Sequence, residues 1–526
     1  AARAGLLEEA GIIAADPIAR QPFDLRRPNG RGTMLALVPE LAASTVELRT
    51  DLAERPFSEQ LAAMIDARTD LRTLALPTDA TRLRLSLDNG IRATAAGPAS
   101  IDPAVGPLPL AVTAVVRDAT GLLHRSMATS TLAPGAGAVE LDLAVPLAIG
   151  GSAAPSAPLE LLAVELSATI PPGTMAEGSA TVTGIEAADG TASTPGWQPL
   201  DWAGAASGWT WSRILAPRTD PAGSVDTDGA PASVLLEGDR RPVGLDELTL
   251  AIGPGELAEV DGNGLPTLVD RRMAELLPAS PEGRTAVTQG FADVRQLDVV
   301  GAVDLVPTLD PGRPGAIVDL PTLQLAEWLR GGTILDANAW WISVAPDADE
   351  DAVLDRLAAG YALEPTLVRR HEIATRTGDA FQAGVTSVLG MVAGAALLFA
   401  VIGLVISLWY TVSSRSGEFA VARALGLGRR QMLGWLAIES GFLIIVGVVG
   451  GVVVGLVLAW VVMPSITLTT EGRPPVPPPV AEMAWDILVA IALLGLAAFG
   501  LSVLAARRVV AGVRVAATIR LAEADR

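Results

Sequence analysis

The stretch SSRSGEFAVARALGLGRRQM, Ser413–Met432, is polar and arginine-bearing and stands between two long apolar runs. Its neighbours decide how it is read. VTSVLGMVAGAALLFAVIGLVISLWYTV (Val385–Val412) precedes it, and LGWLAIESGFLIIVGVVGGVVVGLVLAWVVM (Leu433–Met463) follows it. A third run, WDILVAIALLGLAAFGLSVLAARRVV (Trp485–Val510), comes after a Pro-rich loop. A helix needs roughly 20 mostly apolar residues to cross the hydrocarbon core of a bilayer. All three runs meet that length, and three so close together are hard to bury in a water-soluble core. The sequence therefore predicts a block of three membrane-spanning helices at about 385–412, 433–463 and 485–510.

Arginine in the short loops sets the expected orientation. The loop 413–432 carries Arg415, Arg423, Arg429 and Arg430 against Glu418, and the tail carries Arg507, Arg508, Arg514, Arg520 and Arg526. The loop 464–484 has one Arg and two Glu. The arginine loop and the C-terminus are thus expected on the cytoplasmic side, and the Pro-rich loop and residues 1–383 outside. Trp409, Tyr410, Trp460 and Trp485 fall near the helix ends, where interface aromatics sit.

Drawn as a helix, Gly417–Gly426 sets Glu418, Ala422 and Leu425 on one face, with Phe419 and Arg423 beside them. Arg415 and Glu418 are three apart and can pair. Gly426 and Gly428 end the helix. A merely solvated connector has no use for Phe419, Val421, Ala424 and Leu425. The segment reads as a short amphipathic helix made to touch a partner; anchoring on a lipid surface is the alternative. In the second run, Gly447, Gly451 and Gly455 recur every four residues and line one face, which lets another helix approach closely, within the chain or across a dimer. Glu439 is the one acid well inside a predicted span, and a structural or coupling role is expected of it rather than a proton relay.

The run RSGEFAVARALGLGRRQM, followed by Glu439 and the glycine-rich span, resembles the core signature of FtsX-like ABC transporter permeases. In that family an R-x-x-E-x-A-x-x-R-A-L-G pattern precedes the second helix of a three-helix block. Arg415, Glu418, Ala420, Arg423, Ala424, Leu425 and Gly426 match it. The resemblance covers about 376–526. It implies that the 413–432 helix, with Arg415, Glu418, Phe419, Arg423, Leu425 and Gly426, contacts a separate cytoplasmic ABC ATPase subunit, and that the chain works as a homodimer or a two-module assembly. The large region before the helices is similar to a two-module subgroup, of which this chain would be the C-terminal module. The helix that family members place before their extracytoplasmic domain is not seen here. The opening AARAGLLEEA has neither Met nor a signal-peptide pattern, so the numbering is expected to start inside a longer protein.

Composition narrows the remaining chemistry. The 526 residues predict two to four domains. From Gly384 onward there are 10 Arg against 7 Asp plus Glu, which leaves 28 basic against 51 acidic residues in 1–383, a net charge of −23. That acidic bulk argues against nucleic-acid binding, which needs a basic face. There is no Cys and no Lys, so thiolate chemistry, disulfides and a standard phosphate-binding loop are excluded. With two His, no Gly-x-Ser-x-Gly elbow and no paired carboxylates in an acid–base setting, no enzyme, cofactor or metal is expected. The acidic run DADED, Asp347–Asp351, suits calcium on paper but reads better as a solvated helix start.

The expected architecture is a multi-domain membrane protein: an extracytoplasmic β-sandwich and α/β domain, followed by the three-helix transmembrane block. Residues 1–78 form a mixed, partly helical segment, with a helical pair in LVPELAASTVELRTDLAERPFSEQLAAMI, and either belong to the α/β lobe or finish the domain before it. Residues 79–215 form a jelly-roll-like sandwich, with strands at 82–88, 110–118, 138–145, 159–170 and 179–187. Residues 216–375 form the α/β domain, with helices at Leu268–Leu277 and Leu323–Gly332 and strands in QLDVVGAV, GAIVDL and WWISV. Residues 376–526 are the permease domain. Trp197, Trp202, Trp209 and Trp211 are either a sugar-stacking platform or a plug between the sandwich and its neighbour. The expected function is a plasma-membrane permease subunit that couples ATP hydrolysis to work outside the membrane or to export of a hydrophobic or lipid-linked substrate. The alternative is a membrane-tethered glycan-binding protein without transport activity.

Overall fold

The computed structural model describes most of residues 2–466. The stretches 96–103, 147–151, 190–194, 215–224, 227–232, 240–246, 278–282 and 290–292, some shorter gaps, and all but scattered positions after 466 lie outside the described residues. The chain divides into two compact units, Ala1–Glu364 and Pro365–Arg526.

Alternation builds the sandwich of the first unit. In Arg82–Asn89 the leucines Leu83, Leu85 and Leu87 are buried, while the arginines and Ser86 between them are partly exposed. One sheet runs in the order Trp209–Ile214, Glu247–Pro254, Glu160–Thr169, Ala111–Arg117, Leu123–Met127. The facing sheet contains Ser233–Asp239, Thr174–Ala188, Arg82–Asn89 and Gly135–Asp142. Their inner faces share one core, with Leu83, Leu85 and Leu87 meeting Val112, Ala114, Leu161, Val164 and Leu166. Glu160–Thr169 is buried almost throughout because its two faces enter different cores. Leu161 and Val164 point into the sandwich, and Leu162 and Ala163 point to a helix layer behind it. A strand covered on both faces loses its alternation.

The second sheet of this unit is mixed and nearly closes on itself. Its order is Arg31–Leu37, Gly315–Asp319, Leu265–Asp270, Asp293–Val303, Arg284–Gln289, Ile12–Asp24, Ala339–Val344, and Ile12–Asp24 also pairs with Arg31–Leu37. Thr33 aligns with Gly315, and Leu265 with Leu297, in parallel pairs; the other pairings are antiparallel. Two strands from the first 78 residues therefore belong to the α/β sheet, and Glu247–Pro254 belongs to the sandwich. The first 78 residues thus share the α/β lobe, one of the two placements expected of them, while the boundary at 215 is crossed, because both sheets are completed by strands distant in sequence. The helices Pro39–Thr45 and Phe57–Asp66 are the expected pair, and Leu61 and Met64 pack with Leu35, Leu268 and Ile317 on one face of the sheet.

The other face is covered by Leu320–Gly331, a helix buried on nearly every side. Leu320, Leu323 and Ala326 enter the core of the α/β sheet, while Leu325 and Trp328 join Val115, Leu162 and Ala251 behind the sandwich. Its polar residues Thr322 and Gln324 are buried with them. Asp319 starts it, accepting the Thr322 amide at 2.9 Å and the Arg68 guanidinium at 2.7 Å. The expected helix at Leu268–Leu277 is in fact a strand, Leu265–Asp270, followed by a helix, Arg271–Leu276. The apolar start of that run pairs in the sheet. Asp270 then caps the helix, accepting the Met273 amide at 2.6 Å.

The second unit contains the helix Arg369–Thr377 and two long helices, Ala380–Ser414 and Arg429–Ile466. At 1.5 Å per residue the long pair extend about 50 and 57 Å, beyond the ~30 Å hydrocarbon core.

Candidate coupling site

The site is the connection between the two long helices. Large apolar side chains stand exposed along both, among them Met391, Phe399, Ile406, Ile438, Phe442 and Val449. Such continuous apolar surface is stable in lipid and a liability in water. Among the described residues one stretch, Ser387–Ser407, is long and apolar enough to cross a membrane, and Ile445–Leu458 is a shorter apolar stretch of the second helix. The expected spans at 385–412 and 433–463 each lie in one continuous helix. The expected third span, 485–510, lies almost wholly outside the described residues. Of the expected three-helix block, the described residues hold one qualifying span and a second long apolar helix. Trp409 and Tyr410 sit exposed near the end of the first helix.

Between the helices the backbone turns as the glycines dictate. Gly417 and Glu418 are helical, and the Leu425 amide donates to the Val421 carbonyl at 3.0 Å. Gly426 then adopts a φ of +96°, a conformation that glycine reaches without strain. Gly428 precedes the next helix. Its amide donates to Gln431 Oε1 at 2.9 Å, while the Gln431 amide donates to the Gly428 carbonyl at 3.0 Å. The Gln431 side chain thus supplies one arm of a capping box, with the Gly428 carbonyl in place of an N-cap side chain, and marks where the second helix starts. Reading the sequence missed it, although Gln three residues after Gly428 was its signal.

Arg415 and Glu418 are exposed, Val421 is 62% exposed and Leu425 80% exposed. Two large aliphatic side chains on a charged turn are thus presented outward rather than packed. Phe419 and Arg423 lie outside the described residues. Gly447, Gly451 and Gly455 fall on the second long helix, and nothing lies within 4 Å of where a Cβ would stand at any of them. Among the described residues no neighbouring helix fills that face. Glu439 lies in the same helix, ten residues from its start.

Of the two readings of the tryptophans, three of the four rings follow packing rather than a surface platform. Trp202, Trp209 and Trp211 are buried in the sandwich core. Trp202 and Trp209 meet edge to face at 5.2 Å, and their Nε1–H groups donate to the carbonyls of Val182 and Arg72 at 3.0 and 3.1 Å. Hydrogen-bonded, desolvated rings serve packing. Trp197 stays half-buried beneath the Arg84 guanidinium, 4.0 Å from its centroid, and Arg84 also pairs with Glu140 at 2.8 Å. In the acidic run, Asp349 Oδ1 accepts the Ala352 amide at 3.3 Å, so it caps the helix Glu350–Tyr361.

Buried polar groups concentrate on the helix shared by the two sheets. Arg295, on the α/β sheet, pairs with Glu327 at 2.6 Å. The next residue, Trp328, donates its Nε1–H to Glu165 of the sandwich, which also pairs with Arg125. Gln324 accepts the Leu123 amide at 3.0 Å. Asp270, at the far end of the α/β sheet, is pushed up to about 6 by burial, against the opposing pull of its amide donors.

Curated proteins yielded no match to the chain. Residues 390–512 match the FtsX-like permease C-terminal domain. This match takes in most of the first long helix, the exposed connection and the second long helix. Residues 390–512 are thus similar to that permease domain, and the signature quoted from Arg415 to Gly426 lies inside the match.

Proposed function

We propose that the chain is the transmembrane subunit of an ABC complex and that the connection 415–428 docks a separate cytoplasmic ATPase. The observation that carries this reading is the outward presentation of Val421 and Leu425, beside Glu418 and Arg415, on a turn fixed at both ends. Apolar side chains exposed on a charged surface element are what a protein partner buries at the centre of a contact. ATP-driven closure of the partner moves the connection, and the two stiff helices carry the movement through the membrane. The first unit lies outside, where it does mechanical work or assists export of a hydrophobic or lipid-linked substrate. The uncovered face at Gly447, Gly451 and Gly455 packs against another helix, in a second copy or a companion module. The competing reading, a tethered glycan-binding protein, loses its main support because three of its four tryptophans are spent in the core.

The test is co-purification in detergent of the full chain and a Glu418→Arg plus Leu425→Asp variant. Retention of an ATP-hydrolysing partner by the native chain and its loss from the variant are expected. No ATPase with either form, together with retention on glycan, overturns the reading.

A further inference from the structure

We propose that one end of the α/β sheet is a docking surface for a polymer bearing repeated phosphate groups. This inference does not depend on the transport reading. Six arginines from three segments converge there. Arg26, Arg27 and Arg31 occupy the hairpin between Ile12–Asp24 and Arg31–Leu37. Arg27 donates to the Leu276 carbonyl, which ties the hairpin to the helix that carries Arg271 and Arg272. The Thr33 amide donates to the Pro314 carbonyl at 3.1 Å, which brings Arg313 beside Arg31. The Gly315 backbone lies against Asp270, and so closes the group onto the start of the same helix.

The local charge runs against its surroundings. Residues 1–383 carry a net −23, yet these six arginines face four acids, Asp24, Asp270, Glu275 and Asp310, which leaves an excess of two positive charges among the described side chains. The ion pairs are long single contacts: Arg31–Asp24 at 3.3 Å, Arg272–Glu275 at 3.4 Å, and Arg271–Glu275 and Arg313–Asp310 at 3.7 Å. Exposed pairs of this kind are worth about 0–1 kcal/mol, so exchanging the partner costs little. The side chains of Arg31 and Arg313 are 89% and 71% exposed, which leaves most of each guanidinium fork open.

Guanidinium groups from separate segments suit phosphate, whose several acceptor oxygens bridge more than one fork. Six guanidinium groups on three separate segments offer more donors than the acceptor oxygens of one phosphate take up. Repeated phosphates on one polymer fit that spread.

The experiment uses the full chain in discs of zwitterionic lipid, titrated with inorganic polyphosphate at two salt concentrations. Binding that weakens with salt is expected. Arg31→Glu with Arg313→Glu is expected to lower affinity at least tenfold, with unchanged thermal melting. Arg92→Glu, an exposed arginine of the sandwich, is expected to change it less than twofold. The proposal is overturned by absent binding, by equal losses in both variants, by polyglutamate binding as tightly as polyphosphate, or by the same arginines mattering only on vesicles of anionic lipid.

Discussion

Asp270 shows what a single carboxylate does in this fold. It is buried at the start of a short helix, and burial pushes its ionisation from the ordinary carboxylate value of 3.8 up to about 6. The unfolded chain loses this proton first, so the group's contribution to stability is complete below about pH 4 and is lost as pH rises through about 6. The difference is on the order of 2–3 kcal/mol. Asn keeps the acceptor that caps the helix but has nothing to ionise. Melting of Asp270→Asn from pH 4 to 7 is expected to flatten the part of the profile due to this residue. A profile that still falls as in the native chain shows that the decline has another source. The sequence showed an Asp before a short polar run, but not its burial. Burial comes from Gly315, a strand partner 45 positions away. For the same reason Leu268–Leu277 read as one helix: apolar period alone does not reveal that its first residues pair in a sheet. Gln431 was within reach of the sequence, because a capping box is a local pattern.

The shared helix Leu320–Gly331 is the element on which the first unit turns. Adjacent residues bind opposite sheets, Glu327 to Arg295 and Trp328 to Glu165. Trp328→Phe keeps most of the ring volume but removes the donor to a carboxylate that is 2% exposed. A loss of about 1–3 kcal/mol is expected, read from denaturant unfolding of the full chain. Trp328→Ala also opens a cavity and is expected to cost about 3–5 kcal/mol. It is also expected to split a single unfolding transition of this unit into two, one for each sheet. An unsplit transition means that the sheets are coupled elsewhere. The helix was legible as a helix, but its double burial was not. Gln324, Glu327 and Arg330 give the sequence a polar side that reads as solvated, whereas the structure buries Gln324 and pairs Glu327 with Arg295. The strands 82–89, 111–117, 135–142, 160–169 and 174–188 were legible within a few residues, because alternation and glycine or proline punctuation are local signals. The completion of the α/β sheet by Ile12–Asp24 and Arg31–Leu37 rests on pairings across some 300 residues, which no local signal carries.

At the scale of the molecule, an acidic, sheet-rich unit precedes a unit of long apolar helices, and the arginines of the connection lead us to propose that it faces the cytoplasm. The chain has no cysteine, so single introduced thiols report their side of the membrane without background. Ala133→Cys, exposed on the sandwich, is expected to react with an impermeant maleimide in intact cells, and Ser414→Cys only after permeabilisation. The reverse pattern inverts the orientation. The most direct test of the coupling segment follows from the same absence of thiols. A photoreactive group is attached at Leu425→Cys, and the full chain is irradiated in membranes that contain its ATPase. The account predicts a covalent adduct with an ATP-hydrolysing protein from position 425 and none from position 133. An ATPase that co-purifies yet never crosslinks at 425, or that crosslinks equally from both positions, contradicts it.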